Sequence, residues 1–368
     1  MIKVVVRPVL VQGRRRLQFS YFDRKQDITK NFTRAQAEAK LDELLAMPFR
    51  QFHLQSTTAD LYLRLTKQGK AALTRAKPSL PERPAHLAHD RIKRHPIPAE
   101  AGDTFLQGLG IVGPSGRVRA AMQGKFRQIN EFLRLMGRVL PAEGPAASPI
   151  EIVDCGCGNA YLTFAAYHYL NHLRRLPARV VGIDANEEII QSCTKLQHSL
   201  GWDNIEFHSA KIAEFAPATP PDIVLSLHAC DTATDEAIAQ GILWGSHAIL
   251  AAPCCQHELH DKLRAPLLQP VLRHGILKQR TADITTDAFR ALILRLLGYR
   301  TDVVEFVDPE HTAKNLMIRA QRGLKPGDPR FVKEYQALKQ FWGVQPILET
   351  MLGDALKRLL AGGRQSLS

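Results

Sequence analysis

The run EIVDCGCGNAYLTF, residues 151–164, constrains this chain more than any other stretch: a short apolar strand enters a glycine turn and leaves it as a helix. Asp154 closes the strand, and Gly156 and Gly158 flank Cys157 in a D-x-G-x-G turn, where a side chain would block a ligand's approach to the backbone. Further along, VVGIDAN, residues 180–186, supplies a second apolar strand ending in Asp184, placed to accept hydrogen bonds from a ribose diol. A pyrophosphate-binding fingerprint would need a third glycine where Tyr161 stands, so a cofactor without phosphates fits better. S-adenosylmethionine has that chemistry. Its adenosine matches Asp184, and a carboxylate such as Asp154 helps to orient its cationic end.

The rest of the pattern extends this start into one α/β sheet. Strands are expected over residues 150–154, 179–184, 204–207, 222–227 and 247–252, with helices between them. A helix near 282–297 precedes two further apolar runs, 299–307 and 314–322, whose short connection demands an antiparallel pair. The expected fold is therefore a Rossmann-like, mostly parallel seven-stranded sheet with an antiparallel last strand, the form of class I methyltransferases rather than of dehydrogenases. This domain is expected over residues 104–323, opened by an amphipathic helix at 125–136. Candidate helices at 331–342 and 346–360 make a C-terminal tail, 324–368.

Charge separates the first part of the chain from the rest. Of the net +13, residues 1–100 carry 20 Lys and Arg against 9 Asp and Glu, or +11; the other 268 residues carry 29 against 27, or +2. A near-neutral body with a basic appendage suits an enzyme that binds a polyanion, because phosphate contacts supply most non-specific nucleic-acid affinity. The appendage reads as a small α+β domain, residues 1–76, with two hairpins around a helix capped by Thr33 and stopped by Pro48. RNP aromatics, a GXXG loop and Cys/His fingers are absent from it, so the assignment to RNA, tRNA or rRNA, rests on charge. Residues 77–103, with Pro78, Pro81, Pro84, Pro96 and Pro98, read as a linker. The six cysteines all lie beyond residue 150, which is no secreted disulfide framework. No apolar run is long enough for a membrane span, and a cytoplasmic protein is expected.

In open α/β sheets ligands bind outside the carboxyl ends of the strands. The fourth and fifth strands end in LHACDTATD and PCCQH, which brings His228, Cys230, Asp231, Asp235, Cys254, Cys255 and His257 to the same rim as Gly156 and Asp184. Duller roles compete. The thiols pack or line a pocket, and the histidines serve only for shape; Asp231 and Asp235 cap the following helix. A zinc site from the cysteines and His257 lacks the usual C-x₂₋₄-C spacing.

Taken together, K-x-x-Q (Lys125, Gln128), D-C-G-C-G-N, L-H-A-C-D-T-A-T-D and P-C-C-x-H resemble the methyltransferase superfamily that contains the eukaryotic tRNA acceptor-stem ribose 2′-O-methyltransferases, over roughly residues 125–320. That superfamily also includes human methyltransferase-like proteins and the glutathione S-transferase C-terminal domain containing protein. The ribose enzymes have an uninterrupted Cys-Cys-His run where this chain inserts Gln256, and their zinc-finger regions have no counterpart here. The resemblance implies S-adenosylmethionine binding at Asp154, Gly156, Gly158 and Asp184 and a reaction centre around His228, Asp231, Cys254, Cys255 and His257, with no metal. Lys125, Gln128, Ala185, Ala210, Lys211, Leu227 and His228 complete the candidate cofactor contacts. Either histidine is a candidate base for a ribose hydroxyl, with Asp231 orienting it. Methylation of a protein or small molecule, or cofactor binding without catalysis, are the alternatives; the intact glycine turn and Asp184 argue against the last.

Overall fold

The computed structural model describes residues 3–11, 13–22, 27–66, 70–79, 95–98, 104–140, 148–227, 229, 231–306 and 316–362. The chain divides into two compact units, Met1–Arg94 and His95–Ser368. Most of the proline-rich stretch, residues 80–94 and 99–103, lies outside the described residues.

In the first unit β1 (Lys3–Val11), β2 (Arg14–Phe22) and β3 (Asp27–Phe32) form an antiparallel sheet. Gly13, at φ +74°, lets the chain reverse tightly enough for Val11 to pair with Arg14. Helix α1 (Arg34–Leu45) begins with a reciprocal cap: the Gln36 amide donates to the Thr33 hydroxyl and the Thr33 amide to the Gln36 side chain. It buries Ala37 and Leu44 against Phe19 of the sheet. A second antiparallel sheet runs β4 (Gln51–Gln55), β5 (Asp60–Leu65) and β6 (Ala71–Ala76). The sequence reading missed β3 and β6. Each lacks a clear apolar alternation and forms by adding to the open edge of the hairpin before it.

The second unit holds a seven-stranded sheet flanked by helices, the Rossmann-like fold expected. Helices α2 (Thr104–Gly108) and α3 (Gln123–Met136) lead into β7 (Ile150–Cys155), α4 (Tyr161–Tyr167), β8 (Ala178–Asp184), α5 (Glu187–Leu200) and β9 (Ile205–Ser209). Then follow β10 (Ile223–Ser226), α6 (Thr232–Leu243), β11 (Ala248–Ala251), α7 (Gln269–Leu272), α8 (Gly275–Leu296), β12 (Tyr299–Glu305) and β13 (Leu316–Arg322). The strand order is β12-β13-β11-β10-β7-β8-β9, and β13 pairs antiparallel with both neighbours while β7 to β11 run parallel.

Two apolar layers sandwich the sheet. On α3, Phe126, Ile129, Phe132, Leu133 and Met136 repeat at three- and four-residue spacing and enter the same core as Phe164 of α4 and Ile190 of α5. The other core joins α6 and α8 to α9 (Pro329–Trp342), α10 (Ile347–Leu352) and α11 (Asp354–Gly362) through Phe289, Tyr335, Leu348 and Leu356. Ahead of α2, Ile97 is fully buried and its amide donates to Asn130 Oδ1 on α3 at 2.8 Å. No helix of the described residues is long and apolar enough to cross a membrane.

Candidate active site

The turn after β7 is held by backbone bonds before any ligand is considered. The amides of Gly156 and Cys157 both donate to the Ile183 carbonyl, at 2.8 and 2.9 Å, tying the turn to β8. Gly158 N donates to Asp184 Oδ2 and Asn186 N to Asp184 Oδ1, both at 2.9 Å. Asp184 thus pins the glycine turn, and a carboxylate with about four acceptor sites retains capacity for a diol. Gly156 sits at φ +70° and Gly158 at φ +53°. A Cβ on Gly156 would meet the Ala229 Cβ at 3.2 Å and its Cα at 3.3 Å. Approach of the β10 rim therefore demands this glycine, in addition to the ligand clearance read from the sequence.

Asp154 is buried under that turn. Its Oδ2 accepts from Thr163 Oγ1 at 2.6 Å, while Oδ1 has no hydrogen-bond partner among the described residues. Burial pushes the carboxyl up to about 6, the charge of Asp184 adds to the rise, and Thr163 opposes it. An unpaired buried acceptor is costly, and a cationic donor would relieve it. S-adenosylmethionine has such a donor in its amino-acid ammonium, so the orphaned oxygen and the left-handed glycine turn fit that cofactor.

The K-x-x-Q pair reaches the same turn from α3. Lys125 Nζ donates to Gln128 Oε1 at 2.8 Å and lies 5.1 Å from the ring centroid of Tyr161, the first residue of α4. Burial lowers the Lys125 pKa. The Ala210 amide donates to the Asp184 carbonyl at 3.0 Å, Leu227 is buried just past β10, and Ala185 is exposed. Lys211 is exposed and pairs with Glu214. His228 and Cys230 lie outside the described residues.

Asp231 organises the facing part of the rim. It precedes α6 at φ 52°, ψ −122°, a conformation rare for a residue with a side chain. Its Oδ1 accepts from the amides of His257 and Glu258, at 2.8 and 3.1 Å, and its carbonyl accepts from Arg290 Nη2 at 2.9 Å. The Asp231 side chain therefore makes no cap bond to α6 and instead holds the loop that follows β11. Asp235 does not cap either: it takes two bonds from the buried Arg290, at 2.9 and 2.6 Å.

Arg290 also donates to Asp287 Oδ1 at 3.1 Å, and Asp287 Oδ2 accepts from Gln256 Nε2 at 2.9 Å. Gln256, the residue that interrupts the Cys-Cys-His run, is buried and ties that run to α8. Burial pushes the Asp287 carboxyl up to about 6 against the opposing pull of Arg290. This leaves Cys254 and Cys255 half-buried and His257 exposed on the rim. Cys155, Cys157 and Cys193 are buried, and burial raises their thiol pKa values, so they are poor nucleophiles. The network of Arg290, Asp287 and Gln256 was missed from the sequence. Its signal was an Asp and an Arg three apart in the apolar second half of α8, D-A-F-R in residues 287–290.

Among the described residues no group of three or more His, Cys, Asp or Glu is placed to hold a metal ion. A shallow cleft at the opposite, amino ends of β7 and β8 is lined by Glu151, Arg179 and Glu206 and is remote from these motifs.

Residues 124–262, from the start of α3 through the loop after β11, match the family model described as a methyltransferase domain. No curated protein matches the chain in sequence. Among solved structures, an rRNA methylase from Streptococcus thermophilus is 14% identical, covering 53% of this chain and 96% of that one at a TM-score of 0.34. A magnesium protoporphyrin IX methyltransferase from Synechocystis, with bound SAH, is 17% identical, covering 60% of this chain and 93% of that one at 0.34. The N-methyltransferase NodS from Bradyrhizobium japonicum is 16% identical, covering 54% and 97% at 0.32.

Proposed function

We propose that this S-adenosylmethionine-dependent methyltransferase acts on RNA, tRNA or rRNA, with a ribose 2′-hydroxyl as the favoured acceptor. The enzyme class and cofactor rest on the methyltransferase domain over residues 124–262 and the turn that fits the cofactor. The observation that carries the RNA reading is the +11 excess of residues 1–100 beside a body of +2. The ribose reading draws on the L-H-A-C-D-T-A-T-D and P-C-C-x-H resemblance. A cytoplasmic setting accords with both.

S-adenosylmethionine supplies an electrophilic methyl group, so positioning of the acceptor provides much of the acceleration. Asp154 and Asp184 orient the two ends of the cofactor around the glycine turn. A ribose hydroxyl is weakly acidic and profits from a base as its oxygen attacks. His257 is the first candidate: its amide is fixed by Asp231 and its ring is exposed on the rim, where an imidazole nitrogen takes the hydroxyl proton. His228 is the second. Cys254 and Cys255 shape the acceptor side.

The test is transfer from methyl-labelled S-adenosylmethionine to RNA from cells lacking the gene, followed by digestion to nucleosides. Label in 2′-O-methylated nucleosides supports the proposal. Label on a base moves the acceptor, and label in protein or small molecules alone replaces RNA as substrate.

A further inference from the structure

The body carries its own charged surface beside the rim. Residues 257–280, from the loop after β11 through α7 into the first turns of α8, contain five Lys and Arg, two acids and three histidines. Their net of +3 exceeds the +2 of residues 101–368, so the remainder of the body is at −1. Both acids are already paired: Glu258 with Lys262 at 2.7 Å, and Asp261 with Lys278 at 3.1 Å and His260 at 2.9 Å. Among the described residues Arg264, Arg273 and Arg280 form no ion pair, and all three are exposed. Among the described residues Arg264 donates to the Asp261 and Leu263 carbonyls, neutral acceptors that leave its charge in place.

This segment is built into the rim. Gln279 Nε2 donates to the Gln256 carbonyl at 3.3 Å, and the Lys278–Asp261 pair ties α8 to the loop four residues past His257. The large aliphatic side chains Leu267 and Ile276 are 88% and 69% exposed between the arginines. Guanidinium groups bind phosphate oxygens well, and aliphatic side chains between them cover the apolar faces of sugars and bases.

We propose that this lip, Arg264, Arg273 and Arg280 with Leu267 and Ile276, grips the RNA strand next to the nucleotide that is methylated. The inference rests on the RNA reading and assigns to the body a contact separate from the basic first unit. The lip sets the register of the acceptor at the rim, so its loss raises KM for RNA and leaves cofactor binding alone.

The experiment uses the full-length protein with Arg273→Glu/Arg280→Glu, two exposed changes outside the catalytic loop, and Arg14→Glu/Arg16→Glu as the reference in the first unit. RNA affinity for unfractionated tRNA is measured against salt, with methyl transfer to RNA and S-adenosylmethionine affinity measured in parallel. For two lost phosphate contacts, the slope of log affinity against log salt should fall by roughly 1.4 to 1.8, the range from single-stranded to duplex regions. KM for RNA should rise about tenfold or more, with melting temperature and cofactor affinity unchanged. A lip variant that binds and methylates RNA like the wild type, while the first-unit variant is impaired, overturns the lip and leaves the RNA enzyme standing. A wild type that transfers methyl groups only to an acidic protein, and loses that transfer in the lip variant, overturns both readings and makes the lip a protein-docking surface.

Discussion

At the scale of single residues the site divides its acids by environment. Asp154 ionises at about 6 because it is buried, whereas an unfolded Asp ionises at about 3.9. Between those values the folded, cofactor-free protein holds the extra proton. Its stability therefore declines as pH rises through that window and levels off above it. A cofactor ammonium needs the carboxylate, so affinity for S-adenosylmethionine should fall as pH drops below about 6, approaching tenfold per unit, and the dependence should vanish in Asp154→Asn. Calorimetric titrations from pH 5 to 8 check this. Asp184→Ala removes the bond to Gly158 of the turn and the bond to Asn186 as well as the proposed diol acceptor, and should weaken S-adenosylmethionine by about tenfold or more; equal affinity for NAD in the wild type would sink the cofactor assignment. His257→Ala should lower kcat more than it lowers cofactor affinity, and Cys254→Ser should retain turnover. A Cys254 or Cys255 thiolate that attacked a cytosine would leave a denaturant-stable adduct with RNA containing 5-fluorocytosine; we expect none, and one that disappears only in a cysteine variant would move the enzyme to base chemistry.

At the scale of elements, the rim loop after β11 is positioned by charges inside the fold. Arg290 is 1% exposed and holds Asp235 from α6 and Asp287 from its own helix. Arg290→Met strands two buried carboxylates and should cost about 3–5 kcal/mol in denaturant unfolding. Gln256→Leu removes one bond to Asp287 and should cost less, about 1–3 kcal/mol, while loosening the loop that carries Cys254 and His257. The Asp231 side chain accepts two backbone amides and nothing in that role needs its charge. Asp231→Asn should consequently keep much of the activity, and Asp231→Ala should lower kcat with cofactor affinity intact. If Asn and Ala are equally inactive with an unchanged fold, Asp231 acts on the proton rather than on the loop.

For the whole molecule, the two units predict separable functions. A fragment beginning at residue 95 should fold and bind S-adenosylmethionine, and its residual RNA affinity should have a shallower salt dependence than that of the full chain. A fragment beginning at residue 101 lacks Ile97 and its bond to Asn130. It should be less stable by roughly 2–3 kcal/mol, from the apolar side chain left out of the core, which a melting comparison of the two fragments reads. If the shorter fragment melts with the longer, the segment before α2 is dispensable to the body.

The parallel strands of the sheet, the antiparallel β13 and the glycine turn were legible because local rules set them: continuous apolar runs make buried strands, and a short link between two strands forces their antiparallel pairing. Even the cap at Thr33 was visible as a residue type in its place. Tertiary structure alone decided what the rim acids do. Asp231 and Asp235 stand in one short run, LHACDTATD, yet one holds the amides of residues 257 and 258 and the other holds Arg290, 55 positions away. Strands β3 and β6 were hidden for the same reason, since their pairing comes from a neighbouring edge rather than from a pattern of their own. Periodicity reports which face of an element is buried. It carries no record of which distant partner a buried polar group will find, because that partner is chosen by the packing of the sheet and its helices.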